Sequence, residues 1–283
     1  SVAMCTFNGE RYLHEQLHSL LNQTQQPHEL IICDDASHDN TLEIIRNFAR
    51  TAPFKVHIKQ NAKNLGYVKN FEQAIAHCTQ DLVFLCDQDD VWETTKIASV
   101  LACFMAEPHV GMVLHNYTNI DGQGAAYVQA AERYGQQKLL ADDLPKDIQH
   151  HSIQSFLLPQ SRAWCGCMSA FRQEFTNTLL PIFEGKGHDD WILKIIAPLS
   201  EIRFLSSPLI KYRIHAYNTN SDEFTEKNFV FRFKKFIRKL KNALKGHSKR
   251  NFYKRVIQRI EGSGRLIRHP QLIKIYQNYS RWI

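Results

Sequence analysis

The strongest chemical signal in the sequence is a short acidic segment, Asp87-Gln88-Asp89-Asp90, directly after an apolar run at 82–86. Carboxylates this close repel one another unless a cation or water offsets their charge. Alternate residues of an extended chain point the same way, so Asp87 and Asp89 can share one hard divalent metal. A solvated turn that caps a helix is the simpler alternative. Because the segment ends a predicted core strand, the metal site is favoured.

Two further acidic pairs could take part in chemistry. Asp34-Asp35 follows the apolar run 30–33, and a carboxylate there could accept hydrogen bonds from a base or a ribose hydroxyl. Ordinary turn and cap chemistry is the alternative, and it accounts for Asp39. Asp189-Asp190 begins a predicted helix, where the helix dipole alone would favour acids.

Hydrophobic periodicity predicts the elements that position these acids. Apolar runs alternate with amphipathic helical patterns through the first 115 residues. Strands are predicted at 2–6, 30–33, 54–59, 82–86 and 110–115, and later ones at 202–205 and 209–212. The pattern is typical of an α/β fold whose mostly parallel sheet is covered by helices on both faces. Ligands bind beyond the carboxyl ends of such strands, where Thr6–Asn8 should meet the acids at 34–35 and 87–90.

Composition excludes several protein classes. With 43% hydrophobic and 22% charged residues among 283, the chain can bury a sizeable core. No apolar run approaches the roughly 20 residues of a membrane span, and no signal peptide is recognisable. Seven scattered cysteines indicate a reduced, cytoplasmic setting. The glycine-rich loops of dehydrogenases and P-loop enzymes are absent from the sequence.

Positive charge is concentrated near the C-terminus. The net charge is +7, and residues 232–255 contain many lysines and arginines but no acid. Phenylalanines and leucines between Phe229 and Lys249 recur at helical spacing, which predicts a basic amphipathic helix. We expect residues 229–249 to bind an anionic membrane surface on the inner face of the plasma membrane. Packing of the same stripe on the catalytic domain is the alternative.

Several motifs together resemble family 2 glycosyltransferases. Those of the N-terminal half are Cys5-Thr6-Phe7-Asn8-Gly9, Asp34-Asp35-Ala36-Ser37-x-Asp39-x-Thr41, Asn64-Leu65-Gly66 and Asp87-Gln88-Asp89-Asp90-Val91-Trp92. Those of the second half, Gly187-His188-Asp189-Asp190-Trp191 and Tyr212-Arg213-Ile214-His215, resemble the bacterial rhamnosyltransferase-like branch. The resemblance covers about residues 1–220 and implies the A-type (GT-A) nucleotide-sugar fold.

The resemblance also implies roles for individual residues. Asp35 would bind the nucleobase in a pocket lined by Cys5 and Phe7. Asp89 would be the principal ligand of Mg²⁺ or Mn²⁺, assisted by Asp87. His215 would complete the metal shell or contact the diphosphate, and a structural role is its alternative. Lys69, after the loop 64–66, could neutralise phosphate, although most loop lysines are simply solvated.

Transfer of a sugar needs a base that takes the proton of the acceptor hydroxyl, and the resemblance places it at Asp189, with Asp190 as the neighbouring alternative. No second carboxylate is evident as a covalent nucleophile, so we expect an inverting, metal-dependent glycosyltransferase. Its donor would be a nucleoside-diphosphate sugar, and its acceptor a glycan or lipid-linked glycan of bacterial surface polysaccharide synthesis.

We expect three regions: a nucleotide-sugar half (1–115), an acceptor and catalytic-base half (116–222), and a basic helical tail (223–283) that lies beyond the resemblance. A metal-dependent nucleotidyl- or phosphotransferase shares the logic of nucleotide plus carboxylates and is the enzymatic alternative. A non-catalytic membrane- or nucleic-acid-binding protein is the other, although no signature of specific nucleic-acid recognition is present.

Overall fold

The apolar runs of the sequence form the strands of one sheet. The computed structural model describes residues 1–127, 165–183, 187–215 and 246–281. Within these ranges the strands are β1 Val2–Thr6, β2 Glu29–Asp34, β3 Lys55–Gln60, β4 Leu82–Cys86, β5 Val91–Trp92, β6 Val110–Ile120, β7 Ser169–Arg172 and β8 Glu201–Arg213. Their order in the sheet is β3-β2-β1-β4-β7-β6-β8-β5.

Helices fill the connections, as the amphipathic patterns predict. The helices of the described ranges are α1 Glu10–Leu21, α2 Thr41–Thr51, α3 Tyr67–Ala76, α4 Lys96–Ala106, α5 Thr176–Leu179, α6 His188–Ile196, α7 Gly246–Glu261 and α8 Pro270–Arg281. A short 3₁₀ turn, Gly166–Met168, leads into β7. The predicted α/β fold with flanking helices is confirmed.

The first half of the sheet is parallel, and this places the acidic pairs at one edge. β3, β2, β1 and β4 all run in the same direction. β7 then pairs antiparallel with both β4 and β6, while β6 and β8 are parallel. Because β1, β2 and β4 are parallel neighbours, the residues that follow Thr6, Cys33 and Cys86 emerge side by side.

Each face of the sheet has its own hydrophobic core. One core contains residues of α1 and α4, and the other packs the sheet against α3, α6, α7 and α8. Phe252, Val256 and Ile260 of α7 are fully buried there. The described part of the third predicted region, 246–281, is therefore integrated into this core. The three-part division itself stays a prediction.

Some details differ from the sequence-based expectations. The two strands predicted at 202–205 and 209–212 are one strand, β8, because register irregularities let it follow β6 over its whole length. The two-residue strand β5 was not predicted. Most of 229–249, the predicted basic helix, lies outside the described residues; of that segment only the backbone of 246–249 is described, in α7. Among the described helices, none has the length and apolarity needed to cross a bilayer.

Candidate active site

A side-chain amide joins the end of β1 to the acidic segment. The Phe7 N–H donates to Gln88 Oε1 (2.8 Å), and Gln88 Nε2 donates to the Phe7 carbonyl (3.0 Å). A Cβ on Gly9 would lie 2.3 Å from Gln88 Oε1, so this approach requires glycine. The loop after β1 and the loop after β4 are thereby held as one unit.

Asp34 and Asp35 are both buried and hydrogen-bonded within the protein. Asp34 accepts from the Thr6 hydroxyl and from the N–H and hydroxyl of Ser37. These bonds stabilise the turn in which Ala36 adopts a left-handed backbone (φ +63°). Asp35, predicted to bind the nucleobase, accepts from Asn61 Nδ2 and from two backbone N–H groups of the loop 64–66 at 2.8–2.9 Å. Its carboxylate therefore shapes the wall of the pocket.

The other predicted nucleotide residues differ in exposure. Phe7 is 41% exposed, and Leu65 and Tyr67 across the cleft are similarly open. Cys5 is buried, and burial raises the pKa of its thiol well above the usual value, with further contributions from nearby charges that include Asp87 and Asp35. Lys69 lies in α3, where its ammonium pairs with Glu72 at 3.1 Å. The first two thus flank the cleft, whereas Lys69 is engaged in an ion pair.

Asp89 and His215 are brought together, although they are 126 residues apart in the chain. His215 Nε2 lies 2.8 Å from Asp89 Oδ2, and the imidazole packs on the Tyr12 ring. Arg213, fully buried, fixes the backbone around them. It donates from Nε to the Asp89 carbonyl and from its backbone N–H to Asp90 Oδ1. The end of β8 thereby completes the acidic segment.

Asp87 and Asp90 have a thiol as their neighbour. One ligand atom each of Asp87, Asp90 and Cys167 lies within 4.8 Å of the others. Burial raises the pKa of Asp87 to about 7, and the negative charges of Asp89 and Asp189 add to the rise. Burial, followed by Asp89 and Asp87, also raises the pKa of Asp90. Concentrated negative charge of this kind favours a bound cation.

Lys96 is a site residue that sequence reasoning missed. Its side chain is fully buried, lies 3.7 Å from the centre of the Trp92 ring, and donates to the Cys167 carbonyl at 2.7 Å. Burial lowers its pKa to about 8. No local signal distinguishes it, because lysines are ordinarily exposed. Only its place at the start of α4, shortly after the acidic segment, hints at this position.

Asp189 and Asp190 point to different surroundings. The charge of Asp189 contributes to the raised pKa of Asp87, behind burial and Asp89, so the two carboxylates lie near each other. Its Oδ1 accepts from the Asp190 N–H (2.7 Å). Asp190 forms a close ion pair with Lys194, whose side chain is only 6% exposed. The two candidate bases therefore differ in their partners: Asp189 acts electrostatically on Asp87, and Asp190 is paired with Lys194 within the helix.

Comparison with known proteins identifies glycosyltransferases as relatives of this chain. An uncharacterized glycosyltransferase of Nostoc sp. is 31% identical over 226 residues, which are 78% of this chain and 66% of that protein. The dTDP-rhamnosyl transferase RfbG of Shigella flexneri is 34% identical over 106 residues, covering 36% of this chain and 37% of that protein. The chain thus spans less than two thirds of the length of either relative.

Solved structures show the same fold. Residues 1–349 of S. aureus TarS in complex with UDP-GlcNAc superpose with a TM-score of 0.62 at 19% identity, covering 98% of this chain and 71% of that one. The mannosyltransferase PcManGT from Pyrobaculum calidifontis, in complex with GDP-Man and Mn²⁺, gives a TM-score of 0.53 at 18% identity, covering 99% and 82%. These matches confirm the predicted nucleotide-sugar fold. Residues 1–180 match Glycosyl transferase family 2, and the chain belongs to that family.

Proposed function

We propose that the protein transfers a sugar from a nucleoside-diphosphate donor to an acceptor hydroxyl, with inversion and with the help of Mg²⁺ or Mn²⁺. The observation that carries the proposal is the meeting of three groups at one sheet edge. These are the strand ends at Phe7 and Asp35, the acidic segment with His215, and Asp189, whose charge acts on Asp87. Each corresponds to one requirement of the reaction.

The metal would be held by Asp89, Asp87 and His215. Two carboxylates and an imidazole suit Mn²⁺ well, and the carboxylates suit Mg²⁺. The distance of 2.8 Å between His215 Nε2 and Asp89 Oδ2 supports a site in which both bind one ion. When bound, a divalent ion stabilises the charge that develops on the leaving diphosphate. Arg213 and Gln88 hold the backbone of this segment, so its ligands are preorganised.

Asp189 would accept the proton of the acceptor hydroxyl. A general base must lie beside the cleft and be free to accept, and Asp189 fulfils both conditions better than Asp190, which is paired with Lys194. A Cβ on Gly187 would lie 2.3 Å from Asp189 Oδ1, so glycine there leaves room for the carboxylate. A single base opposite the leaving group gives one displacement and inversion.

The donor would bind through its base near Cys5, Phe7 and Asp35, with Lys69 near the phosphates after release from Glu72. Structures of similar fold in complex with UDP, UDP-GlcNAc and GDP-Man support a nucleotide-sugar donor. One exposed aromatic ring, Phe7, offers a surface on which a base can stack.

The acceptor would be a glycan or lipid-linked glycan of the bacterial surface. The name of one relative supports a polymeric acceptor: TarP of Staphylococcus aureus, a poly(ribitol-phosphate) beta-N-acetylglucosaminyltransferase, is 31% identical over 134 residues. Residues 229–249 would hold the enzyme at the cytoplasmic face of the membrane, where such acceptors are presented. Co-sedimentation with anionic vesicles tests this part, and binding that ignores salt or lipid charge would contradict it.

A panel of nucleotide sugars with purified enzyme and Mn²⁺ tests the main proposal. One donor should give metal-dependent release of free nucleoside diphosphate, and Asp89→Asn should abolish it, with Asp121→Asn as a control outside the cleft. Release of pyrophosphate would instead favour the nucleotidyltransferase alternative. Turnover that survives a chelator, or full activity of Asp89→Asn, would contradict the metal assignment.

A further inference from the structure

Few large hydrophobic side chains are open to solvent, and most of them lie at one edge of the sheet. Five in the described residues are exposed, and three of the five are Phe7, Leu65 and Tyr67. Phe7 follows β1, and Leu65 and Tyr67 follow β3, so all three lie at the carboxyl ends of parallel strands. Exposed apolar side chains grouped in this way are typical of a binding surface. Phe7 would stack on the base of the donor, which leaves the Tyr67 ring, 45% exposed, available to another ligand.

The start of α3 holds Tyr67 in a fixed position. The N–H groups of Leu65 and Gly66 both donate to the Asp35 carboxylate at 2.8 Å. Tyr67 is the first residue of α3, and the Asn70 side chain, one turn later, donates to a backbone carbonyl of β2 at 2.7 Å. The ring therefore projects from backbone that is anchored to the sheet, and little backbone freedom is lost when a ligand binds to it.

The Tyr67 ring also lies beside the start of α6, where the candidate base is located. Its centre is 5.8 Å from that of the His188 ring, edge to face, and His188 stacks on Phe71 at 4.0 Å. Asp189 is the next residue of the chain. Burial raises the pKa of the Tyr67 phenol, and the charge of Asp189 adds to the rise, so the phenol stays protonated at neutral pH. An aromatic ring, an O–H donor and a carboxylate therefore lie near one another.

This combination suits the ring of a sugar. A pyranose has a face of C–H groups, which can pack on an aromatic ring, and a rim of hydroxyls, which need donors and acceptors. The Tyr67 ring supplies the apolar contact, its O–H can donate to one hydroxyl, and Asp189 can accept from another. A diphosphate would be repelled by the Asp189 carboxylate. The place beside Tyr67 therefore favours a neutral sugar over an anionic group.

We propose that Tyr67 binds the acceptor: the acceptor sugar stacks on the Tyr67 ring while its attacking hydroxyl contacts Asp189. A general base must come within about 2.6–3.2 Å of the group whose proton it takes, so the acceptor sugar has to lie beside Asp189 and hence beside Tyr67. The assignment to the acceptor, and not to the donor sugar, rests on the proposed role of Asp189 as the base. Binding of a sugar ring by Tyr67 does not require turnover.

Saturation-transfer difference NMR on the full chain tests the proposal with a panel of methyl pyranosides, in the presence of Mn²⁺ and UDP, GDP or dTDP. At least one glycoside should receive saturation from wild type, mainly at the C–H protons of one face. Tyr67→Ala should weaken its binding by about tenfold, and Tyr67→Phe, which keeps the ring, by about threefold or less. Met105→Ala removes another exposed side chain, in α4, and should leave glycoside binding unchanged. Nucleotide affinity, measured by calorimetry, should stay the same in Tyr67→Ala.

The results separate this proposal from the proposed function. If no glycoside bound to wild type, or if Tyr67→Ala bound it equally well, the assignment of Tyr67 would be overturned, whether or not nucleoside diphosphate is released. If Tyr67→Ala lost affinity for UDP-GlcNAc or GDP-Man but not for UDP or GDP, the ring would contact the donor sugar, and the assignment to the acceptor would be overturned. If glycosides bound through Tyr67 but no nucleotide sugar released nucleoside diphosphate, the proposed function would fail and sugar binding by Tyr67 would stand.

Discussion

Exchange of Asp189 and of Asp190 for asparagine should separate catalysis from stability. The two carboxylates are adjacent at the start of α6, yet one lies near Asp87 and the other pairs with Lys194. Asparagine has nearly the shape of aspartate but can neither accept a proton at neutral pH nor carry charge. The two variants should therefore fail in different assays.

For Asp189→Asn we expect a loss of transfer with little change in stability. The Asp189 Oδ1 accepts from the Asp190 N–H at 2.7 Å, and the amide oxygen of asparagine can take over this bond. The free energy of unfolding should change by no more than about 0.5 kcal/mol. Loss of a general base typically costs about 10²–10⁴-fold in turnover. Affinity for the donor should stay near normal, because the base acts in the transition state.

For Asp190→Asn the expected loss is in stability. Lys194 is 6% exposed at its side chain, so its ammonium would remain buried with a neutral partner. Leaving a fully buried charge unpaired costs about 3–5 kcal/mol. Asp190 itself is about one third exposed, and solvent screening there reduces our expectation to about 1–2 kcal/mol. The melting temperature should fall by about 2–4 °C per kcal/mol.

Thermal denaturation and nucleoside-diphosphate release, measured on the same preparations, check both expectations. Adding Lys194→Met to Asp190→Asn removes the unpaired ammonium and should recover most of the lost stability. If Asp190→Asn lost transfer at unchanged stability while Asp189→Asn stayed active, the reasoning from the ion pair would be refuted and the base would be Asp190. Normal turnover in both variants would place the base elsewhere.

Three further outcomes follow from contacts around the cleft. Gly9→Ala should lower the free energy of unfolding by about 1–3 kcal/mol, because its Cβ would lie 2.3 Å from Gln88 Oε1 and displace the amide that binds Phe7. An unchanged denaturant melt would contradict this expectation. Asp35→Asn should lower the free energy of unfolding by about 1–3 kcal/mol, since an amide nitrogen would face two backbone N–H donors. It should also weaken nucleotide binding measured by calorimetry, and unchanged binding would contradict the role of Asp35 in the nucleotide site. Burial lowers the pKa of His188 in the folded protein, so the unfolded chain takes up the proton at a higher pH. The free energy of unfolding should therefore fall as the pH drops below about 6.5. His188→Gln should flatten this dependence in unfolding curves measured from pH 8 to 5.

Much of the sheet was predictable because its strands are apolar along most of their length. β1 and β4 have the predicted bounds, since all or nearly all of their residues are buried. β5 was not predicted because its two residues are too few to show a hydrophobic period. β8 was divided in two because its exposed middle, 206–208, interrupts the apolar pattern while backbone pairing with β6 continues. Hydrophobic periodicity detects only the buried residues of a strand, whereas backbone pairing can continue through its exposed residues.

The candidate site was predictable in its carboxylates and unpredictable in the groups that accompany them. Local sequence alone identifies Asp35 and Asp87 as candidate site residues, because they follow predicted parallel strands and ligands bind at the carboxyl ends of such strands. Cys167 reaches Asp87 only through the antiparallel register of β4 and β7, which no local pattern reveals. Lys96 is buried against Trp92, in conflict with the usual preference of lysine for solvent. Long-range pairing and the exceptional burial of charge therefore required the structure.

The end of β8 determines the conformation of the acidic segment, although the two lie in different halves of the sequence. Arg213 is fully buried; its backbone N–H and Nε donate to Asp90 and to the Asp89 carbonyl, and its Nη2 pairs with Glu15 at 2.6 Å. His215, two residues later, reaches the Asp89 carboxylate. Without these donors, the carboxylates at 87–90 would repel one another and could spread into solvent. The half of the chain that carries the candidate base thus also holds the candidate metal ligands in place, so the site exists only when both halves are folded together.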